Sequence, residues 1–381
     1  MEATDPRDKV YALLSLADDR EKLGIVPDYT KSVNEVYTDV TRIVLRTSGR
    51  LDLLCVNTNS ERLIPSWASD WSLGSSRPKS LWQYGHYNAA ANKPQPVCPI
   101  EDPSILGVLG VPVDTVRFQS GAIYLDNGDL SGGDLSRIRD NILGLMSLVY
   151  DGIREILPRH PQTDNENMIW WNALELQPDP RNSDSFWRTL VANVTATTAT
   201  ETSKNEHGMT LSTPAPEEYA NMFEILLYSS EDGSEVDSTS HTRPRRRLSQ
   251  MLTSVELQAP RLRTKHFSRI PHDFMPGLSF SKRRAAYLRP LLTMLRLKLS
   301  GRELFITTQG YMGLCSAGVK KGDLVSILLG CDMPILLREC DKSHYLRVIG
   351  EAYVHGIMDG EAVKGLTMEN YTRILNRFLL K

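Results

Sequence analysis

Apolar positions recur every three to four residues through much of the first half of this chain, and that spacing predicts helices. Val10, Leu13, Leu14 and Ala17 form one apolar stripe. Asp5 is placed as its N-cap and Pro6 as its first helical residue, where the missing N–H costs nothing. Val33, Val36, Tyr37, Val40, Ile43 and Val44 make a second stripe. Ser32 and Glu35 precede it with the spacing of a capping box. A long pattern from Asp134 to about His160 carries Ile138, Ile142, Leu145, Met146, Val149, Ile153 and Ile156. Shorter helical patterns follow at 184–194 and 216–230. The six apolar-rich residues 51–56, "LDLLCV", fit a buried strand or a helical turn equally well.

Elsewhere the period drops to two. Residues 104–118 and 121–125 read as strands. So do 301–314, 322–330, 333–340 and 344–358, all punctuated by glycine. A final helix is expected from Thr367 to Leu380. The fold class is therefore α+β: helical N-terminal and central parts packed with a C-terminal antiparallel β-sheet or small barrel. One domain is expected over residues 1–381. Residues 73–104 read as an extended connection pinned by its tyrosines and Trp82. Residues 195–214 and 230–247 are too polar to offset their ordering entropy and are expected to be mobile loops.

Composition narrows the function classes. With 381 residues and 41% hydrophobic content, the chain can bury a substantial core. A formal charge of −2 gives no global field for nucleic acid or an anionic membrane. The basic run "RPRRRLS" at 243–249 reads as a solvated loop, with nuclear import or phosphorylation of Ser249 as competing uses. No apolar stretch is long enough to span a bilayer, and the acidic start does not resemble a secretory signal. Cys55, Cys98, Cys315, Cys331 and Cys340 lack the paired spacing of a zinc or disulfide framework. A reduced, cytoplasmic protein without nucleic-acid partners is the expectation.

No HExxH, GxSxG, GxGxxG, Walker-type or aspartate-rich motif occurs. The expected chemistry thus uses no cofactor and no metal. The densest polar grouping is "EAYVHGIMDGEA" at 351–362. As a strand it places Glu351, Tyr353 and His355 on one face. His355 and Tyr353 are the candidate catalytic donors, with Glu351 and Asp359 beside a substrate. The competing reading is a structural network closed by a turn at Gly356 and Gly360. In "WASDW", Trp67 and Trp71 can wall a flat apolar ligand with Asp70 between them. Core packing with satisfied indole N–H groups competes with that role.

Several long blocks, in order, resemble the region after the HET domain of fungal heterokaryon-incompatibility (HET) proteins. They are "ATDPRDKVYALLSLA", "IVPDYTKSVNEVYTDV", "IPSWASDWS", "FWRTLVAN" and the stretch from "LFITTQGYMGL" to "VIGEAYVHGIMDGEA". The hallmarks of the family's N-terminal signalling module, of the type "ALSYxWG" and "WIDxxCINQ", are absent. The resemblance implies the fold of a HET C-terminal region without that module. Two functions follow as expectations. One is a repurposed, cofactor-independent cyclase or isomerase, of Diels–Alder type for example, acting on a small terpenoid- or polyketide-like substrate. Positioning alone can supply up to about 7–11 kcal/mol to such a reaction. The other is the non-catalytic regulatory or sensing half of an incompatibility or immune-type protein.

Overall fold

The computed structural model describes residues 3–381 apart from 15, 18–19, 57–62, 73–79, 85–86, 96–99, 101, 126–131, 157–182, 196–213, 229–269, 271–273, 276, 341–343 and 366–374. Both stretches expected to be mobile and the basic run fall wholly or almost wholly outside the described residues.

The N-terminal helices are α1 (Asp8–Leu14), α2 (Arg20–Leu23), α3 (Val33–Ser48) and α4 (Leu53–Val56). The capping box forms as expected. Glu35 N–H donates to Ser32 Oγ at 3.3 Å, and Ser32 N–H donates to Glu35 Oε2 at 2.8 Å. Each bond satisfies an orphan donor of the first turn. Val36, Tyr37 and Val40 then pack with Val10, Tyr11 and Leu14 in a small cluster of their own. Asp5 caps a tight turn, accepting the Arg7 N–H at 2.9 Å, and α1 begins three residues later. The ambiguous 51–56 run resolves as the helical turn α4.

The central helices are α5 (Gly132–Ile156), α6 (Ser183–Leu190), α7 (Glu218–Tyr228) and α8 (Phe280–Leu299). No sequence expectation covered α8. Pro290 in its interior and interspersed Arg and Lys blur its pattern, yet Leu288, Leu291, Leu292, Leu295 and Leu299 are all buried. Tertiary packing overrides the proline penalty here.

The strands are β1 (Leu106–Gln119), β2 (Arg302–Thr307), β3 (Met312–Ser316), β4 (Leu324–Leu328), β5 (Ile335–Glu339), β6 (Leu346–Val354) and β7 (Asn376–Leu380). Their order is β2-β3-β6-β5-β4-β1-β7, and β2 also pairs with β1. That extra pairing closes six strands into a barrel. The fourteen residues of β1 make this possible: Val116–Gln119 pair with β2, Gly110–Thr115 with β4, and Leu106–Gly110 with β7. The barrel is thus completed by a strand some 180 residues upstream of its other members.

Alternation along these strands sorts side chains onto two faces. Phe305, Val325, Ile327, Leu336, Ile349, Ala352 and Val354 form the inner cluster with Val116. Leu304, Ile306, Leu314, Ile335, Leu337, Val348 and Tyr353 face outward into a large cluster shared with α4 to α8. Both faces are buried, which explains the nearly continuous apolar runs in these strands. Gly313 is required by this packing, since a Cβ there would lie 2.2 Å from the Phe305 ring.

Two strand and helix expectations are corrected. Residues 121–125 hold only a single bridge, Ile123 to Arg302. The expected final helix is not formed at 376–380, where β7 instead pairs with β1. Phe378 and Leu380 alternate inward, and pairing satisfies the edge of β1. Among the described residues no helix is long and apolar enough to cross a membrane.

Candidate functional site

The polar end of β6 is aimed by a bulge. Leu337 pairs with Val348 but Leu336 pairs with Gly350, so one extra residue enters β6. The bulge shifts the alternation, and Glu351 and Tyr353 therefore face the helices while Ala352 and Val354 face the barrel interior. The expected alternation holds for Glu351 and Tyr353, whereas His355 lies in the turn after β6 ends at Val354; Glu351 is only 2% exposed.

Its carboxylate sits at the start of a short 3-10 turn, Leu81–Tyr84. Oε2 accepts Ser80 Oγ at 2.6 Å and the Trp82 N–H at 3.0 Å, and Oε1 accepts the Leu81 N–H. Exposed N–H groups at a helical start favour an anion. Burial nevertheless pushes the Glu351 carboxyl up, against the pull of the Ser80 hydroxyl, the Arg302 charge and the two N–H groups.

Two basic residues, Lys298 in the last turn of α8 and Arg302 at the start of β2, share this environment. Lys298 is fully buried, and desolvation, reinforced by the Arg302 charge, lowers its pKa to about 6; Glu351 acts in the opposite direction. Arg302 Nη1 donates to the carbonyls of Leu297 and Lys298 at 3.3 and 2.9 Å, the orphan acceptors of a helix C-terminus.

Tyr87 extends the network. Its hydroxyl donates to the Ala192 carbonyl at 2.6 Å, and its ring lies 6.0 Å from that of Tyr353. Burial pushes the Tyr87 hydroxyl well up. The Tyr353 hydroxyl and His355 Nδ1 share a hydrogen bond of 3.0 Å. Ala192 and Asn193, in left-handed conformation, end the "FWRTLVAN" block after α6. This block and "EAYVHGIMDGEA", far apart in sequence, therefore meet through Tyr87.

The remaining candidates are placed differently. Trp67 is fully buried in the large cluster, its Nε1 donates to the Ser104 carbonyl at 3.0 Å, and Arg42 covers its ring at 4.8 Å. Trp71 packs instead against the small cluster of α1 and α3. Asp70 Oδ1 accepts the N–H and hydroxyl of Ser72 at 3.0 and 2.5 Å. Asp359 is exposed on a turn, where its own N–H donates to Glu361 Oε2 at 2.8 Å.

Sequence reasoning missed Ser80, Tyr87, Lys298 and Arg302. A signal existed for Lys298: it continues the stripe Leu288, Leu291, Leu295, where a lysine on an apolar face marks a buried cation. Ser80 and Tyr87 carried no comparable signal. A further grouping was also missed. Cys55 and Cys331 lie 276 residues apart in sequence, yet their sulfurs are 3.6 Å apart beside Asp52.

Comparison with known proteins agrees with this architecture. Residues 286–372 match the Het-6 beta-barrel domain, a segment running from α8 through β6 that contains neither β1 nor β7. The chain is thus similar to proteins of the heterokaryon-incompatibility type. Along nearly its whole length it resembles heterokaryon incompatibility protein 6, OR allele, of Neurospora crassa, with 23% identity over 395 aligned residues. The alignment covers 97% of this chain and 50% of that protein, so the chain spans about half the length of this curated relative. No solved structure matches.

Proposed function

We propose that this chain is a non-catalytic regulatory or sensing part of an incompatibility-type protein. The observation that carries this reading is the occupancy of Glu351. Its two oxygens already hold Ser80 Oγ and the Leu81 and Trp82 N–H groups. A carboxylate so engaged joins β6 to the 80–87 connection and has its acceptor sites committed to the protein rather than to a substrate. The Tyr353, Tyr87 and Ala192 contacts extend the same joint to α6. Similarity to a protein named for heterokaryon incompatibility supports the biological setting.

One observation favours the second reading, a cofactor-independent cyclase or isomerase for a small apolar substrate. The Tyr353–His355 pair, with His355 half-buried, has the composition of a proton-donating couple. The test uses the wild-type chain and a Tyr353→Phe/His355→Gln double variant. Both enter a cell-fusion viability assay between fungal strains, and both are incubated with terpenoid and polyketide intermediates before mass spectrometry. The expected results are a fusion outcome that the folded double variant reproduces and no isomeric product. An isomer made by the wild type and lost in the folded variant would overturn the regulatory reading.

A further inference from the structure

Asp52, Cys55 and Cys331 each bring one donor atom to within 4.8 Å of the other two, and all three residues are buried. We propose that they form a site for a thiophilic divalent d10 ion, zinc in the cell. Two thiolates and a carboxylate are a donor set that zinc takes readily.

The geometry favours a metal over a disulfide. The two sulfurs stand 3.6 Å apart. With zinc–sulfur bonds of about 2.3 Å, two sulfurs on a tetrahedral ion are separated by about 3.8 Å. A disulfide requires about 2.05 Å. For the two sulfurs, metal binding therefore needs a shift of only a few tenths of an ångström.

The surroundings fit that role. Asp52 Oδ1 accepts the Asp332 N–H at 2.9 Å and Oδ2 accepts Arg50 Nε at 2.8 Å. These bonds fix the carboxylate, and Oδ1, with a single donor, keeps a lone pair for an ion. Two thiolates, one carboxylate and a divalent ion sum to one negative charge, and Arg50 lies 2.7 Å from Asp52 to oppose it. On binding, two S–H bonds break and two metal–sulfur bonds form. Both protons pass to solvent, and nothing is oxidised or reduced.

The site lies on a seam. Leu51 N–H donates to the Gly330 carbonyl at 2.7 Å, and Gly330 N–H donates to the Lys93 carbonyl at 2.7 Å. An ion there would staple α4 to the β4–β5 turn across 276 residues of sequence. The seam already orders the donors, so little further ordering accompanies binding.

The experiment titrates the reduced, chelator-stripped full chain with cadmium and follows thiolate-to-cadmium absorbance, with zinc content of untreated protein measured in parallel. The expected results are uptake of a single equivalent and a raised thermal midpoint. Cys55→Ser and Cys331→Ser should abolish the band in folded protein, Cys340→Ser should leave it, and Asp52→Asn should weaken binding at least about tenfold. A folded wild type with neither zinc nor a cadmium band would overturn the proposal. A band that persists in the Cys55→Ser/Cys331→Ser variant, or a Cys55–Cys331 disulfide found in place of metal, would do the same. If the serine variants do not fold, the zinc and cadmium measurements on the wild type decide.

Discussion

Replacing Lys298 by methionine should stabilise the protein, by an amount that depends on pH. Lys298 is fully buried at the end of α8, and its pKa falls from 10.5 to about 6. At pH 7 the folded lysine is therefore mostly neutral while the unfolded lysine is charged. Folding must release that proton, at about 1.4 kcal/mol for each pH unit below the ordinary pKa. From 10.5 down to 7 this amounts to about 5 kcal/mol. The sign follows directly: between pH 6 and 10.5 the unfolded state binds the extra proton, so stability rises with pH. It is lost as pH falls towards 6. Methionine has a similar length, fills the same space and carries no proton. The partial loss of a positive neighbour for Glu351 offsets some of the gain. Urea unfolding of both proteins from about pH 6.5 to 9 measures the effect, with unchanged m-values confirming comparable unfolding. The expected result is a Lys298→Met advantage of several kcal/mol at the acidic end. It should shrink by about 1 kcal/mol per pH unit as pH rises. The raised thiols of Cys55 and Cys315 and the raised hydroxyl of Tyr87 act at higher pH in both proteins, and they cancel in the difference. A stability difference that does not vary with pH would refute the buried-cation reasoning.

Other changes test the joints of the fold. Glu351→Ala leaves Ser80 Oγ, the buried Leu81 N–H and the partly buried Trp82 N–H unmatched and removes a counter-charge from Arg302, and it should cost about 3–5 kcal/mol in the same urea assay. Glu351→Gln keeps one acceptor oxygen and should cost less. Gly313→Ala pushes a Cβ into the Phe305 ring and should cost about 1–3 kcal/mol. Adding Phe305→Leu should recover part of that loss, and strict additivity would count against the clash. Ser32→Ala should lower stability by about 1 kcal/mol through loss of the α3 cap.

The sequence by itself determined the parts of this protein governed by near neighbours. The Ser32–Glu35 box fixed the start of α3, because both partners lie within one helical turn. Glycine spacing and alternation marked the region of β2 to β6, although the single segment 301–314 divides into β2 and β3, and β1 was legible from its own residues. The shared face of Glu351 and Tyr353 was readable as well, since the bulge in β6 lies before them, but His355 falls in the turn beyond the strand. Only the tertiary structure decided the rest. Closure of the barrel depends on β1 meeting β2 and β4 across some 180 residues, and nothing local specifies that pairing. The 376–380 segment became a strand because β1 offered an edge, a choice made by the partner's backbone. Lys298 is a buried neutral amine only because α8 packs against the barrel. Glu351 is engaged only because the chain around Ser80 returns to cover it. Cys55 and Cys331 became neighbours because α4 rests on the β4–β5 turn. Caps and periodicity are short-range effects written residue by residue, whereas desolvation and donor proximity belong to surfaces that exist only once distant segments have met.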